Sequence, residues 1–320
     1  MHKIAYIFPG QGSQFVGMGQ SIYNDFKAAK DVFSLVEEYS NLPIRKLCFD
    51  GPEEDLKRTL NTQNTILAVS LAIYECLKSQ GFPMPDYVSG HSLGELTSLY
   101  VAGCLNPKDV IQLVALRSRL MDNCPLGTMA AIMGIEVENL EALVKETNSD
   151  CGASQDPKVV IANYNLPGQL IVSGEIEAVT QLAKSVKDHK GKAIMLKVGG
   201  AFHSPLMNQA YQIFKQSLED VNFMNAKCPV VQNYDAKATT FKDSIKFKLA
   251  NQINSPVLWF QSIETMLNEG VETFVEIGPG NVLTNLIQKY NNKVKVFNIQ
   301  DSQSLAAVSN ELKECFNLKD

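Results

Sequence analysis

Asp86-Tyr87-Val88-Ser89-Gly90-His91-Ser92-Leu93-Gly94-Glu95 is the stretch that decides the fold. Asp86 to Ser89 reads as a short strand, and the residues after Ser92, as far as Gly103, read as a helix. Between them Gly90-His91-Ser92-Leu93-Gly94 matches G-x-S-x-G, a sharp strand-to-helix turn that lifts a serine hydroxyl above a sheet. Glycine on both flanks removes Cβ atoms that would clash in so tight a turn. The helix that follows brings its N-terminal dipole and free N–H groups, and the N–H of Leu93 is the expected donor to a developing oxyanion. Ser92 is therefore the candidate nucleophile.

Outward from this turn, strand-like and helix-like runs alternate along the chain, which predicts an α/β fold. Upstream, Ile4–Phe8 reads as the first strand and leads into the glycine-rich loop Pro9-Gly10-Gln11-Gly12-Ser13. Ile66, Val69, Ile73 and Leu77 fall at helical spacing between Asn64 and Gln80, with Gly81 as the stop. A further helix is expected from Pro107 to about Asp122. The middle of the chain changes rhythm. Thr128–Ile135, Val137–Thr147, Val159–Asn163, Gln169–Ser173, Glu175–Lys187 and Lys192–Val198 read as β-α-β-β-α-β, a ferredoxin-like unit. This predicts a small domain at 128–200 inserted into a larger α/β domain formed by 1–127 and 201–320. Beyond it come helices at Pro205–Asp220, Lys242–Ile253 and Phe260–Asn268, with strands near Val230 and at Thr273–Ile277. A helix after Gly280 and a closing strand at Lys293–Asn298 complete the expectation.

Composition narrows the class. The chain has 320 residues, 45% hydrophobic and 20% charged, with a net charge of −5. Those values suit a globular protein and give no indication of a nucleic-acid partner. No apolar run approaches the length of a membrane span, and the opening Met1-His2-Lys3 runs directly into a strand, so neither membrane nor signal peptide is expected. The seven cysteines include no C-x-x-C pair, the pattern of a reducing compartment, so a cytoplasmic protein without a metal site is expected.

A serine nucleophile near neutral pH needs a base, and there are four histidines. His2 is terminal, His91 should project away from its neighbour Ser92, and His189 lies in a lysine-rich, solvated stretch. His203 remains, in Gly199-Gly200-Ala201-Phe202-His203-Ser204-Pro205, a turn entering a helix. Its orienting partner is open. Asp109, Asp122, Asp150, Asp156 and Asp188 lie between Ser92 and His203, but none follows a strand end; a main-chain carbonyl or an amide could serve instead. Arg117, within Leu116-Arg117-Ser118-Arg119, reads by itself as a surface salt-bridge residue. Gly278-Pro279-Gly280 reads as a structural turn, since it lacks the lysine and length of a phosphate loop.

With these residues in place the chain resembles the malonyl-CoA:acyl-carrier-protein transacylase family almost end to end. The blocks are Phe8-Pro9-Gly10-Gln11-Gly12-Ser13-Gln14, Gly90-His91-Ser92-Leu93-Gly94-Glu95, Arg117, Gly127-Thr128-Met129-Ala130-Ala131 and Ala162-Asn163-Tyr164-Asn165. Ala201-Phe202-His203-Ser204-Pro205, Gln252, Trp259 and Glu276-Ile277-Gly278-Pro279-Gly280 follow in order. The resemblance implies an α/β-hydrolase-like large domain with a ferredoxin-like insert. It implies that Ser92 is acylated, that His203 takes its proton, and that Gln11 and Leu93 supply oxyanion N–H groups. A main-chain carbonyl near Gln252 would orient the histidine. Arg117 would bind the malonyl carboxylate, with Phe202 and His91 also on the substrate side; a planar guanidinium suits a carboxylate.

The implied reaction is ping-pong transfer from malonyl-CoA to the phosphopantetheine thiol of an acyl carrier protein, with no bound cofactor and a monomeric enzyme. The competing readings are a thioester hydrolase using the same Ser/His pair and a non-catalytic carrier-binding subunit. With no carrier or condensing domain in the sequence, the partners are expected to be separate chains. Lys184, Lys187, Lys190 and Lys192 form either a docking patch for an acidic carrier or a solvated basic face. Two departures from the family are a shorter Met121–Gly127 stretch and Ser118 in place of a common glycine.

Overall fold

The computed structural model describes residues 2–150, 156–316 and 318; Cys151 lies outside them. In chain order the strands are β1 (Lys3–Phe8), β2 (Tyr87–Gly90), β3 (Thr128–Met133), β4 (Val159–Leu166), β5 (Gln169–Gly174), β6 (Lys192–Met195), β7 (Val230–Val231), β8 (Ala238–Thr239), β9 (Val271–Ile277) and β10 (Lys295–Ile299). They form a six-stranded sheet in the order β10-β9-β1-β2-β7-β8 and a four-stranded sheet in the order β4-β5-β3-β6. The large sheet is parallel except for the β7–β8 pair at its edge.

Both faces of the large sheet are covered, as a parallel sheet requires. Along β1 the side chains alternate: Ile4, Tyr6 and Phe8 enter one core, and Ala5 and Ile7 enter the other. The first core holds the helix Thr59–Ser79, which is buried nearly all round rather than along a stripe. The second is built around Trp259, Ile263, Phe274 and Leu286.

The four-stranded sheet is antiparallel throughout, and its strand order is that of a ferredoxin-like unit. Helices Val137–Asp150 and Ile176–Asp188 cover one face over Ala130, Ile132, Leu170 and Val172. The strand alternation leaves Met129 and Ile171 on the opposite side, where they line a cavity shared with the large sheet.

Three sequence expectations change. The chain does not close on a strand: helix Ser302–Cys315 follows β10, started by an Asp301–Ser304 capping box in which serine stands where Glu or Gln is usual. The helix expected over Pro205–Asp220 is an α-helix only at Asn208–Ser217, with 3₁₀ turns at Pro205–Met207 and Leu218–Asp220. Strand β6 stops at Met195; the Leu196 N–H still donates to the Met129 carbonyl at 2.9 Å, and beyond it the chain leaves β3, with Leu196 and Val198 lining the shared cavity.

Candidate active site

β1 and β2 pair in parallel with Phe8 opposite Gly90, so the Gln11 loop and the Ser92 turn leave the same end of the sheet. A Cβ on Gly90 would lie 2.0 Å from the carbonyl carbon of Gly94, and one on Gly94 would lie 2.0 Å from the Phe8 carbonyl oxygen. Both glycines are therefore obligatory. Ser92 itself sits at φ 51° and ψ −101°, and helix Leu93–Val101 starts at the next residue. The main-chain N–H groups of Gln11 and Leu93 have no hydrogen-bond partner among the described residues, and both residues line a cavity of about 220 Å³.

His203 reaches this turn from the segment that returns from β6. Its Nε2 lies 2.7 Å from Ser92 Oγ, and its Nδ1 lies 2.9 Å from the Gln252 carbonyl and 3.2 Å from the Ser255 carbonyl. Carbonyl oxygens only accept, so Nδ1 carries the proton and Nε2 presents a lone pair to the serine hydroxyl. The orienting group is thus a main-chain carbonyl and not an aspartate. Asp122 instead pairs with Arg58 at 3.1 Å, and Asp109 sits in the first turn of a helix capped by Asn106, whose Oδ1 accepts from the Asp109 N–H at 2.9 Å. Burial, reinforced by the Arg117 charge, pushes the His203 imidazole down to about 3.

Arg117 is not on the surface. It is 1% exposed, and its guanidinium points at the nucleophile. Nη2 donates to Ser92 Oγ and to Gln252 Oε1, each at 3.0 Å, and Nη1 donates to Gln63 Oε1 at 2.7 Å. Nε has no partner, and among the described residues no carboxylate forms an ion pair with this cation. Glu95, itself buried, raises the guanidinium pKa only at a distance; desolvation dominates and lowers it to about 10. Ser118 is buried and accepts from Asn64 at 2.9 Å, which fixes the helix beside Gln63.

His91 faces away from Ser92 Oγ. Its Nε2 meets Asn165 Oδ1 at 2.8 Å, its ring packs 5.6 Å from Trp259, and burial lowers its pKa. Phe202 is buried and lines the cavity with Met121 and Met129. The Gly278-Pro279-Gly280 turn holds no room for an anion at its helix: Glu276 already accepts from the N–H groups of Leu283 and Thr284, at 3.1 and 2.8 Å. Lys184, Lys187, Lys190 and Lys192 are all exposed.

Sequence reasoning missed Gln63, Glu95 and Asn233. Gln63 lies just before the helix expected from Asn64, and nothing in its local sequence sets it beside Arg117. Asn233 lies just past β7, the strand expected near Val230, but the sequence does not show that this strand pairs with β2 and so sets Asn233 beside Ser92.

The acyl transferase domain family matches residues 5–317. The malonyl CoA-acyl carrier protein transacylase of Bacillus subtilis (strain 168) is 39% identical over 318 residues, covering 98% of each chain. The chain belongs to this family. The Staphylococcus aureus (strain MRSA252) transacylase is 38% identical over 304 residues, covering 94% of this chain and 96% of that one. The crystal structure of the Clostridium perfringens transacylase superposes with a TM-score of 0.91 at 32% identity, covering 98% of both chains. A malonyl-transacylase in complex with its holo type II PKS acyl-carrier protein gives 0.91 at 32% identity, covering 97% of this chain and 99% of that one. As a transacylase-family member, the chain has the α/β large domain and smaller sheet domain of those structures. Among the described residues no helix is long and apolar enough to cross a membrane.

Proposed function

We propose that this protein transfers malonyl groups from malonyl-CoA to the phosphopantetheine thiol of an acyl carrier protein, for fatty-acid or polyketide synthesis. The observation that carries the reading is Arg117: a buried cation, hydrogen-bonded to the serine hydroxyl, that forms no ion pair with a carboxylate among the described residues. An acyl group ending in a carboxylate supplies the missing partner and brings its thioester carbonyl to Ser92.

His203 Nε2 removes the Ser92 proton as Oγ attacks the thioester carbonyl, and the N–H groups of Gln11 and Leu93 receive the oxyanion. Collapse expels the CoA thiolate, which takes the proton from the imidazolium and leaves malonyl-Ser92. The carrier thiol then gives its proton to His203, attacks the ester and restores the serine. Gln252 orients His203 through its carbonyl and Arg117 through its amide, while Phe202 and His91 bound the acyl pocket. Phe202 leaves little space for a 2-methyl branch.

The carrier brings the phosphopantetheine, and no further cofactor has a role in these steps. We place the protein in the cytoplasm, in keeping with six described cysteines that are all free. We take it to act as a monomer, with a small domain at 128–200 between large-domain segments 1–127 and 201–320.

Intact-mass spectrometry of the protein mixed with malonyl-CoA tests the reading. A malonyl adduct on wild type, absent in Ser92→Ala and much reduced in Arg117→Ala, supports it. Free malonate accumulating without an adduct points to a hydrolase, and neither adduct nor turnover points to a non-catalytic carrier-binding subunit.

A further inference from the structure

A residue with a Cβ does not rest at φ 51° and ψ −101° unless its surroundings hold it there, and Ser92 does. Side chains grip the peptide groups on both sides of it. Asn233 Oδ1 accepts from the Ser92 N–H at 2.7 Å, and Asn233 Nδ2 donates to the Gly90 carbonyl at 2.8 Å. Gln252 Nε2 donates to the Ser92 carbonyl at 2.8 Å. One carboxamide therefore clamps the turn before and at the nucleophile.

The fold brings it there. β7 pairs in parallel with β2, Val231 opposite Ser89, so two residues further on Asn233 stands level with His91. Asn233 is fully buried and is itself tied down. Its N–H donates to Glu95 Oε2 at 2.7 Å, and its carbonyl accepts from the Leu258 N–H at 3.0 Å. Gln232 Nε2 holds the other Glu95 oxygen at 3.1 Å. The Glu95 carboxylate thus acts on the turn through Asn233, Gln232 and Gln252, while its own N–H donates to the Ser92 carbonyl at 3.2 Å.

We propose that Asn233 is a positioning residue for the transfer reaction, its carboxamide holding Ser92 in the strained turn that aims Oγ at His203, with Glu95 as its anchor. The proposal rests on the reading of Ser92 as the acylated nucleophile. The position requires one acceptor and one donor side by side, which asparagine supplies. Aspartate at 233 keeps the acceptor for Ser92 N–H, loses the donor to Gly90, and sets a second buried carboxylate against Glu95. Once protonated, that aspartate regains a donor. The other charged or titratable groups facing this position are Arg117, through Gln252, and His203 and His91 at the turn.

The test uses the full chain as wild type, N233A and N233D between about pH 5 and about pH 8. Two rates are read: malonyl transfer, and Ser92 labelling by phenylmethylsulfonyl fluoride, which needs no acyl carboxylate. N233A should lose about a hundredfold in kcat with KM little changed, and labelling should slow in parallel. The ratio of N233D to wild type should climb at least about tenfold toward acid, as the new carboxyl protonates. Glu95 is common to both proteins, so the ratio reads the carboxyl introduced at 233 together with its coupling to Glu95. Labelling of N233A at the wild-type rate, or an N233D ratio flat with pH, overturns the proposal. N233D matches asparagine in size and carries the test alone where N233A does not fold. If wild type transfers no malonyl while the labelling rates separate, the functional reading fails and the positioning role stands.

Discussion

Replacing Arg117 with methionine should leave the free protein at least as stable as wild type while disabling it. The guanidinium lies inside the first core with its pKa pushed well below the ordinary guanidinium range, to about 10, chiefly by burial. At about 1.4 kcal/mol per pKa unit, the charged form is disfavoured in the fold by roughly 3 kcal/mol. Because the depressed group is a base, that cost is present at every pH below about 10 and fades only as the pH rises beyond it. Methionine removes the charge and fills most of the stem volume, but it leaves the amide oxygens of Gln63 and Gln252 without their donor. Each orphaned oxygen costs about 1 kcal/mol, so the net is a stabilisation of about 1 kcal/mol. For a chain of this size that raises Tm by about 2 °C. Malonyl transfer should fall about a hundredfold or more, since two charge-assisted hydrogen bonds to the acyl carboxylate are lost. Calorimetric melts at neutral pH, with and without free malonate, read the outcome. Malonate should raise the wild-type Tm and leave that of R117M unmoved. An R117M protein melting several degrees below wild type would refute the reasoning, because the buried cation would then be a net stabiliser.

His203, held near 3 by burial and by Arg117, stays neutral through mildly acidic pH. The rate of Ser92 acylation by an uncharged electrophile should therefore be flat from about pH 8 to about pH 5, and a limb near the ordinary histidine pKa of about 6.5 would contradict the geometry. Gly94→Ala drives a methyl onto the Phe8 carbonyl at 2.0 Å, so the variant should lose several kcal/mol of stability in a denaturant titration. A wild-type midpoint would show that the turn relaxes freely. Phe202→Ala should narrow the malonyl-to-methylmalonyl preference by about tenfold in competition assays, as one methyl group in an apolar pocket commands.

Much of the site was legible because its chemistry depends on local spacing. The two glycines around Ser92 announce a turn that no other residue fits, and four histidines are few enough to sort. The ferredoxin-like insert was legible from its change of period. What sequence hid was contact between distant segments. Arg117 has the neighbours of a surface residue, and only the packing of its helix against Thr59–Ser79 buries it beside Gln63. The orienting group for His203 could not be read at all, since every residue has a carbonyl and only the fold selects that of Gln252. The closing helix was missed because its capping box uses Ser304, a residue that reads as readily as loop.

The nucleophile stands on the six-stranded sheet, whereas the base hangs from the segment that leaves β6 of the other sheet. That return segment and the outgoing one are fastened where Leu126 bridges Gly200, and a Cβ on Gly127 would lie 2.6 Å from that of Ala201. In evolutionary terms the smaller sheet is no exchangeable cassette. A recombination that swaps it between relatives also rewrites the tether of His203, so the 2.7 Å contact with Ser92 must be re-established with every graft.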